Sequence, residues 1–135
     1  MAPDFILKDL RGGEFRLSST RGKVVLLDFW ATWCPPCREA MPVLQKLFVE
    51  YKDKGLLVVG MNVNDPIGKA RDFADKAGIT YPVVLAERGP VVEQFQAQGL
   101  PVMMIIDREG KVAGHYGGRT GEAKLRERLS QAGIR

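Results

Sequence analysis

Two cysteines, Cys34 and Cys37, lie between an apolar run and a stretch with helical spacing, in the segment FWATWCPPCREAMP (residues 29–42). On a helix, positions three apart share one face with Cβ atoms about 5–6 Å apart, so a small adjustment closes a disulfide. A cysteine at a helix N-terminus also meets unpaired N–H groups and the positive end of the helix dipole, which favour the thiolate. This feature predicts thiol–disulfide exchange on a strand–helix unit.

The two cysteines are expected to have different roles. Cys34 precedes the predicted helix and is the expected nucleophile, whereas Cys37 lies one turn inside and is more shielded. Cys34 would attack a substrate disulfide, and Cys37 would resolve the mixed disulfide and leave the pair oxidised. Pro35 and Pro36 have no N–H group, so Cys34 must rely on the amides of Cys37 and beyond. Fewer donors to the thiolate favour a reducing pair.

The C-x-x-C spacing also occurs in static disulfides and in zinc or copper sites, where the two cysteines supply half of the ligands. A disulfide that closes four residues adds little stability, because the effect grows with loop length. A zinc site needs about four ligands. The single histidine, His115, falls in a predicted strand far along the chain and is expected to have no role in the chemistry. We therefore expect no metal or cofactor besides the redox-active disulfide, and a metal carrier is kept as the alternative from another class.

Length and composition predict one globular domain. The 135 residues are enough to bury a core, and 45% are hydrophobic while 27% are charged. The net charge of +4 is modest and the basic residues are scattered, so nucleic-acid binding is not expected. No segment reaches the about 18 apolar residues of a membrane span. We expect a monomer that is not inserted in a membrane.

The spacing of apolar residues predicts strands that alternate with helices. Residues 5–17 suggest an N-terminal hairpin, and the run 24–30 is typical of a central strand covered on both faces. Later strands are predicted over residues 56–63, 83–85, 103–107 and 111–116. Later helices are predicted after Asp65, over 90–97 and after Thr120, with Asp65 and Thr120 as N-caps. This order predicts an α/β sandwich.

A carboxylate, Asp28, stands inside the apolar run 24–30. Burial there would raise its pKa and leave it able to exchange protons near neutral pH. Because the strand runs toward Cys34, Asp28 is predicted to serve Cys37 through a water as that thiol becomes the attacking thiolate. The candidate catalytic residues are thus Cys34, Cys37 and Asp28. The alternative for Asp28 is a hydrogen-bonded structural role.

The segment WATWCPPC (residues 30–37) resembles the active site of thioredoxin-fold proteins of the TlpA/ResA type, which are bacterial thiol–disulfide oxidoreductases. The resemblance spans nearly the whole chain and includes APDF (2–5), GKVVLL (22–27), YPVVL (81–85), GLP (99–101) and IIDREGKV (105–112). It implies a single thioredoxin-like domain over residues 1–135. The implied fold is a three-layer sandwich with an N-terminal hairpin and a central strand–helix insertion over about 55–100.

The resemblance also implies a function and its surroundings. It implies a reductase of protein disulfides that receives electrons from an upstream donor and serves cytochrome c maturation or redox balance in the cell envelope. The implied location is extracytoplasmic. The first residues lack the basic and apolar regions of a signal peptide, as is expected of a mature or trimmed form. Two cysteines used in one motif fit either compartment, so a cytoplasmic location is the alternative.

Further site residues follow from the resemblance. Pro101 matches the family's cis-proline, which packs against the dithiol and leaves the backbone of Leu100 free to pair with a substrate strand. Trp33 is expected to contribute an apolar docking surface. Trp30 is expected to pack around the cysteines, and the two prolines between the cysteines shape the start of the helix.

Two positions near the dithiol depart from the family pattern. Many relatives place a glutamate three residues after the second cysteine, where this chain has Ala40. The glutamate is one place earlier, at Glu39, about 100° around the helix, where we expect a surface position. At position 28, TlpA-type relatives usually carry asparagine and thioredoxins proper carry a buried aspartate. Asp28 is therefore the expected acid near the dithiol.

A thiol peroxidase of the peroxiredoxin type is the nearest enzymatic alternative, because it shares the fold. In these enzymes a threonine or serine lies three positions before the peroxidatic cysteine, and a proline lies seven positions before it. Here those positions hold Ala31 and Leu27, which does not favour this alternative.

Overall fold

A computed structural model describes residues 1–86, 90–95, 97 and 99–134. The strands are β1 (Ile6–Lys8), β2 (Glu14–Arg16), β3 (Val24–Trp30), β4 (Leu56–Asn62), β5 (Val83–Leu85), β6 (Val102–Ile106) and β7 (Val112–Gly117). The helices are α1 (Pro35–Tyr51), α2 (Ile67–Lys76), α3 (Pro90–Gln94) and α4 (Glu122–Gln131), with short 3-10 helices over Leu17–Thr20 and Lys52–Lys54.

Strand β3 lies at the centre of the main sheet, whose order is β5-β4-β3-β6-β7. Every residue of β3 is buried, as its continuous apolar sequence predicts. It pairs in parallel with β4 and antiparallel with β6, so Asp28 stands level with Gly60 on one side and Met103 on the other. Strands β1 and β2 form the separate N-terminal hairpin. The central strand therefore carries Asp28 into the middle of the sheet.

Successive residues of β3 point to opposite faces and enter two cores. On one face Leu26 and Trp30 pack with Cys37 and Met41 of α1, and residues of α2 and α4 complete this core. On the other face Phe29 packs with residues of the N-terminal hairpin and α3, and with Ala86, Phe95 and Ala97. The result is the thioredoxin-like three-layer sandwich implied by the sequence. The segment 55–100 supplies β4, α2, β5 and α3, and β4 pairs with β3 along its whole length.

Two predicted helix caps are wrong. Helix α2 has Pro66 as its N-cap, without a side-chain cap, because the Asp65 carboxylate is held by other partners described below. Helix α4 begins after Gly121 rather than at Thr120, again without a side-chain cap. Helix α3 ends at Gln94 instead of extending to residue 97, and residue 96 of that prediction lies outside the described residues. Strand bounds differ from prediction by one residue at several ends.

Candidate active site at the N-terminus of helix α1

Cys34 is the N-cap of α1, and the following residue begins the helix. Its backbone is extended (φ −106°, ψ 103°), as is usual for an N-cap. The two cysteines form a disulfide with their Cα atoms 5.3 Å apart. The Cys37 amide donates a hydrogen bond to Cys34 Sγ over 3.3 Å. Pro35 and Pro36 have no N–H group, so Cys37 is the first residue of the helix whose amide can donate to the Cys34 sulfur.

The two cysteines differ in their access to solvent. Cys34 keeps 5% of its surface exposed, whereas Cys37 is fully buried. Trp33, next to Cys34, is 55% exposed and presents a large apolar ring at the surface. The structure therefore gives an attacking partner access to Cys34 and denies it to Cys37.

Asp65 anchors the loop that carries the dithiol. Its carboxylate accepts hydrogen bonds from the Thr32 amide (2.7 Å), the Thr32 hydroxyl (2.8 Å) and the Asn62 side-chain amide (2.9 Å). These bonds tie the segment before Cys34 to the end of β4. No sequence pattern indicated this cluster, because Thr32 lies 33 residues before Asp65 and Asp65 resembles a helix cap.

Asp28 is fully buried on the face of the sheet that α1 covers. Neither carboxylate oxygen has a hydrogen-bond partner among the residues described. Burial without a compensating partner raises the pKa of Asp28 from 3.8 to about 7. The described residues therefore do not support the alternative of a hydrogen-bonded structural aspartate. Asp28 lies in the same layer as Cys37 with a carboxyl group that can gain or lose a proton near neutral pH.

Trp30 follows Asp28 on the same face of β3 and is also fully buried. Its ring packs against Phe73 with centroids 5.6 Å apart. The indole Nε1 has no hydrogen-bond partner in the described part of the chain. Trp30 thus shares a buried core with Cys34 and Cys37, and its role in shaping the site stays a prediction.

A cavity of about 280 Å³ adjoins the dithiol between α1 and the segment before α4. Pro36, Ala40 and Met103 line it, together with Pro101. The Leu100–Pro101 peptide bond is cis. The Pro101 carbonyl accepts a hydrogen bond from the Gly118 amide over 3.0 Å, which connects this loop to the end of β7. Pro101 and the helix start therefore share one open surface.

Glu39 lies on the wall of the same cavity. Its side chain is 62% exposed and forms an ion pair with Arg119, which lines the cavity from the opposite side. The expected surface position is therefore found, and Glu39 also faces the cavity beside Ala40. No sequence signal pointed to Arg119, which lies 80 residues away.

The remaining candidate ligand lies away from the dithiol. His115 is in β7, and its Nε2 lies 3.1 Å from the carbonyl oxygen of Phe95. Among the residues that the structure describes, no group of three or more histidine, cysteine, aspartate or glutamate side chains could hold a metal ion. Within the same residues, no helix has the length and apolar composition needed to cross a membrane.

Comparison with known proteins adds to this geometry. The chain is 41% identical over 111 residues to the thiol-disulfide oxidoreductase ResA of Geobacillus kaustophilus, an alignment that covers 82% of this chain and 64% of the relative. The chain thus spans less than two thirds of that relative's length. It is 31% identical over 130 residues to the protein of the same name from Bacillus cereus, with 96% of this chain and 75% of the relative covered.

The fold is shared with solved structures. A thiol:disulfide interchange protein of the thioredoxin family from Chlorobium tepidum superposes with a TM-score of 0.88 at 30% identity, covering 97% of this chain and 94% of that one. A secreted thiol-disulfide isomerase from Corynebacterium glutamicum has a TM-score of 0.87 at 25% identity, with 94% and 81% covered. The AhpC/TSA family matches residues 1–118. On this match and these relatives, the chain belongs to the thioredoxin-fold AhpC/TSA family and is similar to its ResA-type thiol–disulfide oxidoreductases.

Proposed function

We propose that this protein is a thiol–disulfide oxidoreductase that reduces disulfides in other proteins through Cys34 and Cys37. The observation that carries the proposal is the position of Cys34 as helix N-cap, with the Cys37 amide donating to its sulfur. An amide at that distance and the positive end of the helix dipole both stabilise a thiolate on Cys34.

The first step is attack by the Cys34 thiolate on a substrate disulfide. One S–S bond forms between Cys34 and the substrate, and the substrate's own S–S bond breaks, which releases a substrate thiolate. Cys34 is suited to this step because it is the cysteine with exposed surface. Trp33 offers an apolar contact beside it.

The second step is resolution by Cys37. Asp28, ionised in part near neutral pH, takes the Cys37 proton through a water, and the Cys37 sulfur attacks Cys34. The Cys34–Cys37 bond forms while the bond to the substrate breaks, so the substrate leaves with both of its sulfurs reduced. An upstream donor then returns two electrons to the pair.

The cavity beside Pro101 is the proposed place for the substrate chain. An extended segment there would pair with the backbone of Leu100 and contact Pro101, with Pro36 on the helix side. Pro36 lines this surface, whereas the Trp30 ring is fully buried in the core behind it. Substrates are thus proteins with an accessible disulfide in an extended segment.

The wider setting is proposed from the relatives. One structurally similar protein is described as secreted, and the similar ResA proteins share the oxidoreductase name. We place the activity outside the cytoplasm, in cytochrome c maturation or envelope redox balance, with a cytoplasmic location as the alternative. In this proposal the chain acts as one monomeric domain and needs no cofactor beyond its disulfide.

The experiment that tests the function is equilibration of the pair in a series of glutathione buffers. We expect reversible two-electron exchange with a potential more negative than about −180 mV, that of protein disulfide isomerase. A pair that does not exchange would contradict the proposal. Stoichiometric binding of Zn²⁺ or Cu⁺ by the reduced chain would instead support a metal carrier. Peroxide turnover by Cys34 in the absence of Cys37 would support a peroxidase.

A further inference from the structure

Three buried polar side chains converge on Gly60, at the centre of the sheet. Asp28 stands directly opposite Gly60 on the neighbouring strand. A Cβ atom at Gly60 would lie 3.1 Å from Trp30 Nε1 and 3.3 Å from Tyr81 Cε1, so both rings lie against this glycine. The absence of a side chain at Gly60 is what allows the two rings to approach the strand.

All three side chains are almost fully buried, and each keeps a polar group that no described residue satisfies. Asp28 and Trp30 have no exposed surface and Tyr81 has 3%. Both Asp28 oxygens, Trp30 Nε1 and the Tyr81 hydroxyl are without a hydrogen-bond partner among the described residues. Buried polar groups in proteins nearly always have a partner, and where protein groups do not supply it, an ordered water usually does.

The Asp28 charge acts on Tyr81. Burial raises the pKa of the Tyr81 hydroxyl, and the negative charge of Asp28 raises it further, so the hydroxyl stays protonated and can donate. The other titratable side chains in or against this layer are the disulfide-bonded Cys34 and Cys37 of α1 and the partly buried Tyr51 and Tyr116, while β6 contributes Met103 and α2 contributes apolar residues. Tyr81 is the tyrosine of this layer that lies with Asp28 beside Gly60.

Tyr81 also borders the outside of the molecule. It lines an open cavity of about 320 Å³ with Asp9, Arg11, Thr80 and Val83, at the edge of the sheet beside β5. This cavity has no lining residue in common with the one beside Pro101. Tyr81 therefore lies at the boundary of the core, with its hydroxyl on the buried side.

We propose that Asp28, Tyr81 and Trp30 Nε1 share a buried water beside Gly60, through which the Tyr81 hydroxyl and the Trp30 N–H stabilise the ionised Asp28 carboxylate. This inference rests on the proposed role of Asp28 in resolution. The water accepts hydrogen bonds from the Tyr81 hydroxyl and the Trp30 N–H, and it donates one to the Asp28 carboxylate. The carboxylate is thereby stabilised in the ionised form that takes the Cys37 proton.

Tyr81→Phe tests the proposal, because it removes the hydroxyl and keeps the ring that packs edge-to-face against Phe48. The Asp28 carboxyl is titrated by ¹³C NMR in the oxidised protein. We expect the midpoint to rise by about one pH unit, a tenfold change in ionisation, because the ionised carboxylate loses a water-mediated donor. The pH profile of the resolution rate should move by the same amount. Tyr116→Phe, in β7, is the matched control and should leave both unchanged. Superimposable titrations of Tyr81→Phe and the unmodified chain would overturn the proposal.

A second measurement uses the unmodified protein and so does not depend on how a variant folds. A cross-peak between water and the Trp30 indole N–H is expected in NMR spectra of the oxidised chain, and its absence would also overturn the proposal. Asp28→Asn separates this inference from the function on which it rests. If Asp28→Asn resolves mixed disulfides at the normal rate, the role of Asp28 fails whatever Tyr81 does. If Asp28→Asn resolves mixed disulfides slowly while Tyr81→Phe behaves like the unmodified chain, the inference about Tyr81 fails and the role of Asp28 stands.

Discussion

Asp28 and Asp65 are two acidic residues close to the active-site loop, and their surroundings are opposite. Asp65 accepts three hydrogen bonds from Thr32 and Asn62 and so fixes the backbone before Cys34. Asp28 is fully buried and accepts none from the described residues. Hydrogen-bond donors stabilise an ionised carboxylate, whereas burial alone favours the protonated acid. The comparison connects Asp65 with loop geometry, and for Asp28 it supports the proton transfer that we propose.

The largest expected difference between the two carboxylates is in the pH dependence of stability. The pKa of Asp28 is about 7 in the folded chain and 3.8 when exposed. Between these values the folded chain holds a proton that the unfolded chain has released. The contribution of Asp28 to the free energy of unfolding is therefore complete below pH about 4. It falls by about 1.4 kcal/mol per pH unit as the pH rises, and it is lost by pH about 7.

This change amounts to about 4 kcal/mol over that interval. Urea unfolding of the oxidised chain from pH 4 to pH 8, compared with Asp28→Asn, measures it. The variant should lack this fall and be more stable than the original chain at pH 8. Parallel pH curves for the two proteins would show that Asp28 is not a buried acid with a raised pKa.

Asp65→Ala should have the next largest effect, a loss of about 3 kcal/mol in the free energy of unfolding. Hydrogen bonds to a charged group contribute about 1.5–3 kcal/mol each and do not add fully when one residue makes several. Asp65→Asn keeps one acceptor oxygen and should lose less. Denaturant unfolding of both variants at pH 7 measures the order. Equal stability of Asp65→Ala and the unmodified chain would remove the anchoring role.

Asp28→Asn should slow resolution by about 100-fold at pH 7, the usual size of a lost acid–base group, which corresponds to about 2.7 kcal/mol of activation free energy. The attack by Cys34 should change much less, because in the proposed cycle Asp28 takes its proton from Cys37. Stopped-flow measurement of mixed-disulfide formation and decay separates the two rates. Equal slowing of both steps would point to a general distortion of the site.

The smallest effect is expected for Glu39, an exposed carboxylate that serves as a control for Asp28 and Asp65. Glu39 pairs with Arg119 at the surface, where both side chains are 62% exposed. Exposed ion pairs contribute about 0–1 kcal/mol. Glu39→Gln should therefore change stability by less than about 1 kcal/mol and leave the resolution rate with glutathione disulfide unaltered. A loss as large as that of Asp65→Ala would mean that the surface pair also fixes the site.

The sequence predicted those parts of the molecule that depend on local pattern. The apolar run 24–30 indicated a central buried strand, and β3 is buried at every position. The cysteine spacing, with two prolines between, indicated a helix start at Cys34, which is its N-cap. Asp28 was predicted as a buried acid for the same reason, since a strand without exposed positions must bury whatever it carries.

Long-range partners could not be predicted in the same way. Asp65 has the local signature of a helix cap, but its carboxylate accepts from the amide and hydroxyl of Thr32, 33 residues earlier, and does not cap α2. Tyr81 approaches Asp28 because Gly60, on a third segment, has no side chain. These contacts depend on the strand register, which the sequence pattern leaves open.

The most direct test of the account is disulfide trapping with the two cysteine variants. Cys37→Ala cannot resolve its mixed disulfide and should accumulate substrate proteins joined to Cys34. Cys34→Ala, whose remaining cysteine is buried, should accumulate none. The measurement is non-reducing electrophoresis of each purified variant after incubation with a disulfide-bonded substrate protein. Trapping by Cys37→Ala alone is the predicted result, and trapping by neither variant, or by Cys34→Ala, would contradict the assigned roles.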